Sequence, residues 1–287
     1  TGGPVETCED AEMARTSIGC EFYAARFHNW ADPMSITTPF AVGVANVNDI
    51  DQANVTLEAR IGGTWTAVEG PVTIDSLNLH LFEYDAPQVS QDVGVATAHA
   101  VRITSDRPVV AYQFNPLDGG SQSSDASLLY PVTSWDHLNL GAVWQSSINA
   151  STNLQIVAGH DGTVVEVWPA VDAESGPGIA GGIAGSPFTI NLNAGDVANV
   201  GPDLLPQSLT GTWIESDPDK PVAVFASNPA TAVPGGCCAD HLEEQTPGVR
   251  AWGLDIVAPQ LPVRNTGEPE PTIWEIYASE DGTTVTF

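Results

Sequence analysis

The sequence predicts an all-β protein: tandem antiparallel β-sandwich modules with an internal repeat, a β-propeller-like arrangement being the alternative. Three observations carry this. Helical periodicity is weak along the whole chain, whereas short runs of alternating or continuous apolar residues recur between turn signals. The composition, with 27 Gly and 22 Pro, supplies turns in the number that many short strands need. One cassette occurs twice. Ile103-Thr-Ser105-Asp106-Arg-Pro108-Val-Val-Ala-Tyr-Gln-Phe-Asn115-Pro and Ile214-Glu-Ser216-Asp217-Pro-Asp-Lys-Pro221-Val-Ala-Val-Phe-Ala-Ser-Asn228-Pro share one pattern. Ser-Asp is followed by a basic residue, Pro, alternating apolar residues and Asn-Pro. Ser-Asp favours a turn through side-chain-to-backbone bonds, and Pro fixes φ at a strand start, so each cassette is expected to be a hairpin.

The repeat extends beyond the cassettes. Leu154–Trp168 resembles Ile273–Phe287, each being two strand-like runs joined by Asp-Gly, with a longer-turned counterpart from Phe40 to Glu58. Asp-Gly between apolar runs is a strong hairpin signal. Starts near 40, 154 and 273 give a period of ~115 residues, too long for one propeller blade and suited to a sandwich domain.

The organisation follows from this spacing. Residues 1–36 are an entry segment containing Cys8 and Cys20, with one or two helical turns expected over Glu9–Arg15 and a strand entered at Gly19–Tyr23. Residues 37–150 form a first module, with strands expected at 40–46, 53–60, 64–68, 78–84, 98–104, 108–114 and 127–132. Residues 151–265 form a second, with strands expected at 154–158, 163–168, 187–192, 196–200, 210–215, 221–226 and 254–258. Residues 266–287 read as a linker and the opening hairpin of an incomplete third module.

Only 8 Lys and Arg oppose 36 Asp and Glu, a formal net charge of −28. Nucleic acid is excluded as a partner, since phosphate binding needs a basic surface, and an anionic membrane surface is disfavoured for the same reason. No apolar run is long enough to span a bilayer, so direct membrane insertion is not expected.

Four Cys in a β-rich, lysine-poor chain imply disulfides and an oxidising compartment. Cys8–Cys20, closing a short loop, is the expected bridge. Cys237 and Cys238 then form a vicinal bridge or belong to two pairs elsewhere, free buried thiols being the alternative.

Catalytic signals are weak. Gly120-Ser-Gln-Ser-Ser is not a nucleophile elbow. Cys238 lies three residues from His241, yet adjacent Cys in an oxidising compartment are usually bridged, and 36 carboxylates supply glycosidase-like pairs by chance. No zinc spacing is present. The metal reading is calcium at Asp240, Glu243 and Glu244, expected in an acidic loop near Asp217 and Asp219, against the reading of a solvated acidic loop. His241 beside them is read as a residue that bonds the loop backbone. His80 and His99 read as surface or hydrogen-bonded histidines. Asn54-Val-Thr56 and Asn149-Ala-Ser151 fit the glycosylation pattern.

Ser17-Ile-Gly-Cys20-Glu-Phe-Tyr, the cassette Ser105–Pro116, Asp125-Ala-Ser-Leu-Leu, Leu209–Asp217 and Cys237-Cys-Ala-Asp-His-Leu-Glu-Glu-Gln245 together resemble the IgGFc-binding protein N-terminal family, over nearly the whole chain. The resemblance implies an extracellular or cell-surface, non-enzymatic recognition region, and the acidic composition resembles the bacterial secreted branch. No catalytic residues come with it. The expected function is a binding or adhesion module for a protein or glycan surface ligand that the sequence does not name. The alternative is a structural subunit of a stalk or fibre that self-assembles by strand pairing through residues 273–287. No cofactor besides calcium is expected.

Overall fold

The computed structural model describes residues 5–30, 39–117, 123–145, 151–233, 239–260, 262–263, 267 and 272–286. It is all-β, with sixteen strands and one α-helix among those residues. Helix α1 (Cys8–Ala14) opens with a capping box: the Thr7 hydroxyl accepts from the Asp10 N–H, and the Asp10 carboxylate accepts from the Thr7 N–H. This satisfies donors that a helix start leaves open. Strand β1 (Gly19–Ala25) follows, and a Cys8–Cys20 disulfide ties the two together. Cys237 and Cys238 lie outside the described residues.

The first module contains β2 (Phe40–Asn46), β3 (Ala53–Ile61), β4 (Thr64–Ile74), β5 (Leu79–Tyr84), β7 (Ala100–Asn115) and β8 (Asp125–Leu129). Strand β6 (Gly94–Ala96) lies in the connection between β5 and β7. The second contains β9 (Leu138–Leu140), which falls inside the range expected for the first module but pairs with β14, together with β10 (Asn153–Ala158), β11 (Thr163–Trp168), β12 (Phe188–Leu192), β13 (Val197–Val200), β14 (Trp213–Ser216), β15 (Val222–Thr231) and β16 (Asp240–Thr246). Their sheets run β16-β15-β10-β13-β6 and β12-β11-β14-β9. The first module has the same neighbours. The second half of β7 lies between β2 and β8, with β5 beyond β2. Its first half lies between β3 and β1, with β4 beyond β3. Registers correspond as well: Val44 faces Ala111 as Ile156 faces Val224, and Asn115 faces Asp125 as Asn228 faces Leu242.

The cassettes differ from the expected hairpins. In the first, β7 runs unbroken for 16 residues. Ser105–Pro108 form a bulge, four residues standing where β1 has only Cys20 between Gly19, paired with Val109, and Glu21, paired with Thr104. A bulge accommodates Pro, whose missing N–H would break a regular ladder. The turn-forming side chains are spent locally: Ser105 Oγ accepts from the Arg107 N–H, and Asp106 binds the backbone and side chain of Asn54. The second cassette, two residues longer, does turn. The Lys220 N–H donates to Asp217 O, and the chain crosses from β14 in one sheet to β15 in the other.

Two apolar cores fill the molecule. One, around Phe22, Phe40, Phe82 and Ile103, also takes in Val157, Val197 and Phe225 of the second module. The other, around Leu154, Ile156, Ile190 and Ile214, takes in Val93 from the connection that carries β6. Strand β10 is buried at all six positions: Leu154, Ile156 and Ala158 enter an apolar core, and the polar Asn153 and Gln155 alternating with them are buried with hydrogen-bond partners, as buried polar groups require. The expected strand at 254–258 is absent, and residues 254–258 are exposed. Residues 272–286 contain the Asp281-Gly282 turn without any paired strand.

Candidate functional site

The polar groups of this protein concentrate where β8 of the first module meets β16 of the second. Both strands alternate with period two. On β16 the N–H groups of His241, Glu243 and Gln245 point at β8, where side chains stand in for a backbone ladder. Ser123 Oγ accepts from His241 N at 2.8 Å, Asp125 Oδ2 from Glu243 N at 2.8 Å, and Ser127 Oγ from Gln245 N at 2.7 Å. Gln245 Oε1 returns the bond, accepting from Tyr130 N at 2.7 Å. Burial holds the Asp125 carboxyl above the usual carboxylate range, opposed by the N–H groups of Glu243 and Ala126 that donate to it.

Glu243 is the centre of this seam. Its side chain and that of His241 are both 0% exposed, with 3.1 Å between Nε2 and Oε2. Gln113 Nε2 donates to Glu243 Oε1 at 3.0 Å and Asn115 Nδ2 to Oε2 at 3.1 Å. The two amides reach on to β1 and the residues after it. Gln113 exchanges bonds with both backbone groups of Ala25, and Asn115 Nδ2 donates to Phe27 O at 2.9 Å. A buried carboxylate is tolerated only when paired and hydrogen-bonded, and these donors supply that. The cassette residue Asn115 is thus part of the seam. Its counterpart Asn228 instead holds backbone, donating to Trp144 O and accepting from Ala230 N.

A second buried amide cluster holds the connection between modules. Gln155 Nε2 donates to Ser227 Oγ and Asn199 Oδ1, and Asn153 Nδ2 also reaches Asn199 Oδ1. Asn199 Nδ2 then lies within bonding distance of the carbonyls of Ser90, Gln91 and Asp92, at 2.9–3.1 Å. This positions β6 on the edge of β13.

Asp240, Glu243 and Glu244 stand on a strand and not in the expected loop. Alternation turns Glu243 inward and leaves Asp240 and Glu244 exposed, so the three are not brought together. Among the described residues no group of three His, Cys, Asp or Glu side chains is placed to hold a metal ion. His241 bonds the Glu243 side chain. Although Glu244 as a residue is exposed, its carboxyl packs near protein on one side, and this partial desolvation, with the charges of Asp125 and Glu243 added, pushes it up to about 7. The residue keeps solvent contact, which screens part of this effect. Asp217 accepts from the Asp219 N–H and closes its own turn, and Ser216 N donates to His137 O. His80 pairs with Glu69 at 2.9 Å.

Two depressions mark the surface. One of about 170 Å³ lies at the seam, lined by Arg15, Tyr130, Trp135, Gln245 and Gly248 among others. It is smaller than ordinary small-molecule sites of roughly 300–1,000 Å³. The other, about 370 Å³, lies beside α1 and the β2–β3 loop, with Val5, Ile18, Val47 and Ile50 around the Arg107–Asp51 ion pair. Reasoning from sequence missed Gln113, Asp125 and Ser127 as seam residues. The signal was there in the period-two polar pattern Ser123-x-Asp125-x-Ser127 and in the polar Gln113 inside an apolar run.

A disulfide-clipped pair of β-sandwich modules, joined by a buried acid, base and amide seam and by a second buried amide cluster, defines a multi-module all-β scaffold. Residues 125–287, more than half of the chain, match the family described as IgGFc binding protein, and the chain belongs to that family. The match begins on β8, at the seam. No curated protein and no solved structure matches the chain. Among the described residues no helix is long and apolar enough to cross a membrane.

Proposed function

We propose that the chain is a non-enzymatic, extracellular binding or adhesion module of a secreted or cell-surface protein, of the bacterial branch of its family. The observation that carries this reading is the complete burial of Glu243 and His241. This acid–base pair, with both side chains fully buried, cannot meet a substrate, and its hydrogen bonds join the modules. Family membership supports the same reading. The ligand class is a protein or glycan on a surface, and the net charge of −28 favours a partner with a basic face. Calcium has no part in this reading, because Glu243 would have to leave Gln113 and Asn115 to join Asp240 and Glu244.

Immobilised protein, exposed to glycan arrays and to immunoglobulin and other extracellular surface proteins, tests the proposal. Saturable binding that weakens with added salt is the expected result. Absence of binding across these panels, with turnover of a hydrolase substrate abolished by a substitution in the chain, would overturn it. A second reading, a stalk or fibre subunit assembling through residues 273–287, is favoured by the exposure of Ile273, Trp274 and Ile276.

A further inference from the structure

The first module departs from the second at three places, and the three meet. The turn after β2 is the longer one, residues 47–52 standing where the second module has residues 159–162. The first cassette bulges where the second turns. Helix α1, clipped by its disulfide, stands beside the first module alone. In the second module the cassette cation, Lys220, lies on the short turn and bonds the carbonyls of Asp161 and Gly162. In the first, Arg107 pairs instead with Asp51 of the longer turn at 3.3 Å. The groove of about 370 Å³ opens between that turn and the residues before α1. None of residues 47–52 is buried, so the added turn serves no core.

Both walls of the groove are held in place. Asn48 Oδ1 accepts from the N–H groups of Ile50 and Asp51, each at 2.8 Å, and Asn46 Nδ2 donates to Asp51 O at 2.8 Å. Across the groove the capping box fixes Thr7 on α1. A bulge re-aims a side chain, here that of Arg107, which closes the groove between the two walls. The volume of about 370 Å³ lies within the range of roughly 300–1,000 Å³ usual for ligand sites.

The lining has two characters. Val5, Ile18, Val47 and Ile50 are apolar, with Ile50 82% and Val47 40% exposed. Glu6, Asp49 and Asp51 oppose the single cation Arg107. Arg107 is spent on Asp51, whereas the carboxylates of Glu6 and Asp49 bond no described residue. A bare metal ion fits poorly, since among the described residues no three such groups are placed to hold one. A basic side chain fits both characters. Its methylene stem covers apolar surface while its charged head meets carboxylates at the rim.

We propose that this groove seats a Lys or Arg side chain of a protein partner, its stem on Val47 and Ile50 and its cation at Glu6 and Asp49. The site rests on the binding reading and gives it a place on the surface.

The test is an NMR titration of the full, isotope-labelled chain with Nα-acetyl-lysine amide and Nα-acetyl-arginine amide. Amide signals of residues 5–7, 18 and 47–51 should shift and saturate. Nα-acetyl-norleucine amide has the stem without the charge, and methylammonium has the charge without the stem. Each should bind about tenfold or more weaker, as should the basic probes on two exposed-site variants, Glu6→Gln with Asp49→Asn, and Ile50→Ser. Binding of the norleucine probe as tight as that of lysine overturns the proposal and marks a plain apolar groove. Equal binding of methylammonium overturns it and marks a plain acidic surface. Shifts that fail to saturate at these residues overturn it as well. If the immobilised chain captures a surface protein and the Glu6→Gln, Asp49→Asn variant captures it as tightly, the site is overturned while the binding reading stands.

Discussion

At the scale of single residues, Glu243 sets the energetics of the seam. Replacing it with Ala leaves the Gln113 and Asn115 amides and the His241 ring facing an apolar gap. Removing one member of a buried, hydrogen-bonded pair costs about 3–5 kcal/mol. Glu243→Ala should therefore lose that much in denaturant unfolding, and Glu243→Gln, which keeps an acceptor, distinctly less. Neighbouring carboxyls give a pH dependence of two signs. Glu244, raised to about 7 in the fold, binds its proton more tightly there than in the unfolded chain. Its contribution is complete below the ordinary value of 4.5 and is lost as pH rises to about 7. Asp136 has the opposite behaviour. Burial alone would raise its carboxyl, but N–H groups of Arg250, Leu138 and His137 and the Arg250 charge hold it below the usual range. Its contribution is present above 3.8 and fades as pH falls through the lowered value. Thermal melts should peak in mildly acidic buffer, and Glu244→Gln should flatten only the limb above the peak.

At the scale of elements, the disulfide clips α1 to β1 beside the Ser105–Pro108 bulge. It spans 12 residues in sequence, and a loop of that size gives roughly 3 kcal/mol by restricting the unfolded chain. Non-reducing peptide maps should show the Cys8–Cys20 link, and Cys8→Ser with Cys20→Ser should lower stability by about 2–3 kcal/mol. This bridge was legible in the sequence, as were β2, β3, β11 and the short first helix, because each depends on local pattern alone. The cassettes were legible as repeats and misjudged as hairpins. Ser-Asp-x-Pro fits a turn, and whether a bulge replaces it is decided by β1, some 85 residues away. The three-residue strands β6 and β9 are too short to leave a pattern. Strand β16 reads as an acidic loop because its inward residues, His241, Glu243 and Gln245, are polar; their burial makes sense only once β8 is beside them.

At the scale of the whole molecule, the two modules are joined by side-chain bonds 118 residues apart in sequence, and this is why the candidate site was largely invisible in the sequence. The seam should make the modules unfold together. Removing the acceptors with Ser123→Ala, Asp125→Ala and Ser127→Ala leaves the N–H groups of Glu243 and Gln245 unmet, at about 1–3 kcal/mol each, and leaves that of His241 with Asp240 Oδ1 alone. The triple variant should unfold in two calorimetric steps where the unaltered chain shows one. A single cooperative transition in the variant would mean that the shared apolar core, with Phe27 against Phe225, couples the modules without the polar seam.

The two cassettes also shape how the protein meets digestive chemistry. Trypsin-like proteases cut after Lys and Arg, and the chain has only eight such residues. Its one lysine, Lys220, is followed by Pro221, and Arg107 by Pro108. A bond to proline lacks the N–H and has its φ fixed, so it resists cleavage. Lys220 is further held against the carbonyls of Asp161 and Gly162. The bulge and the sheet-to-sheet corner, where irregular backbone beside a basic residue would invite nicking, are therefore shielded by the prolines that shape them.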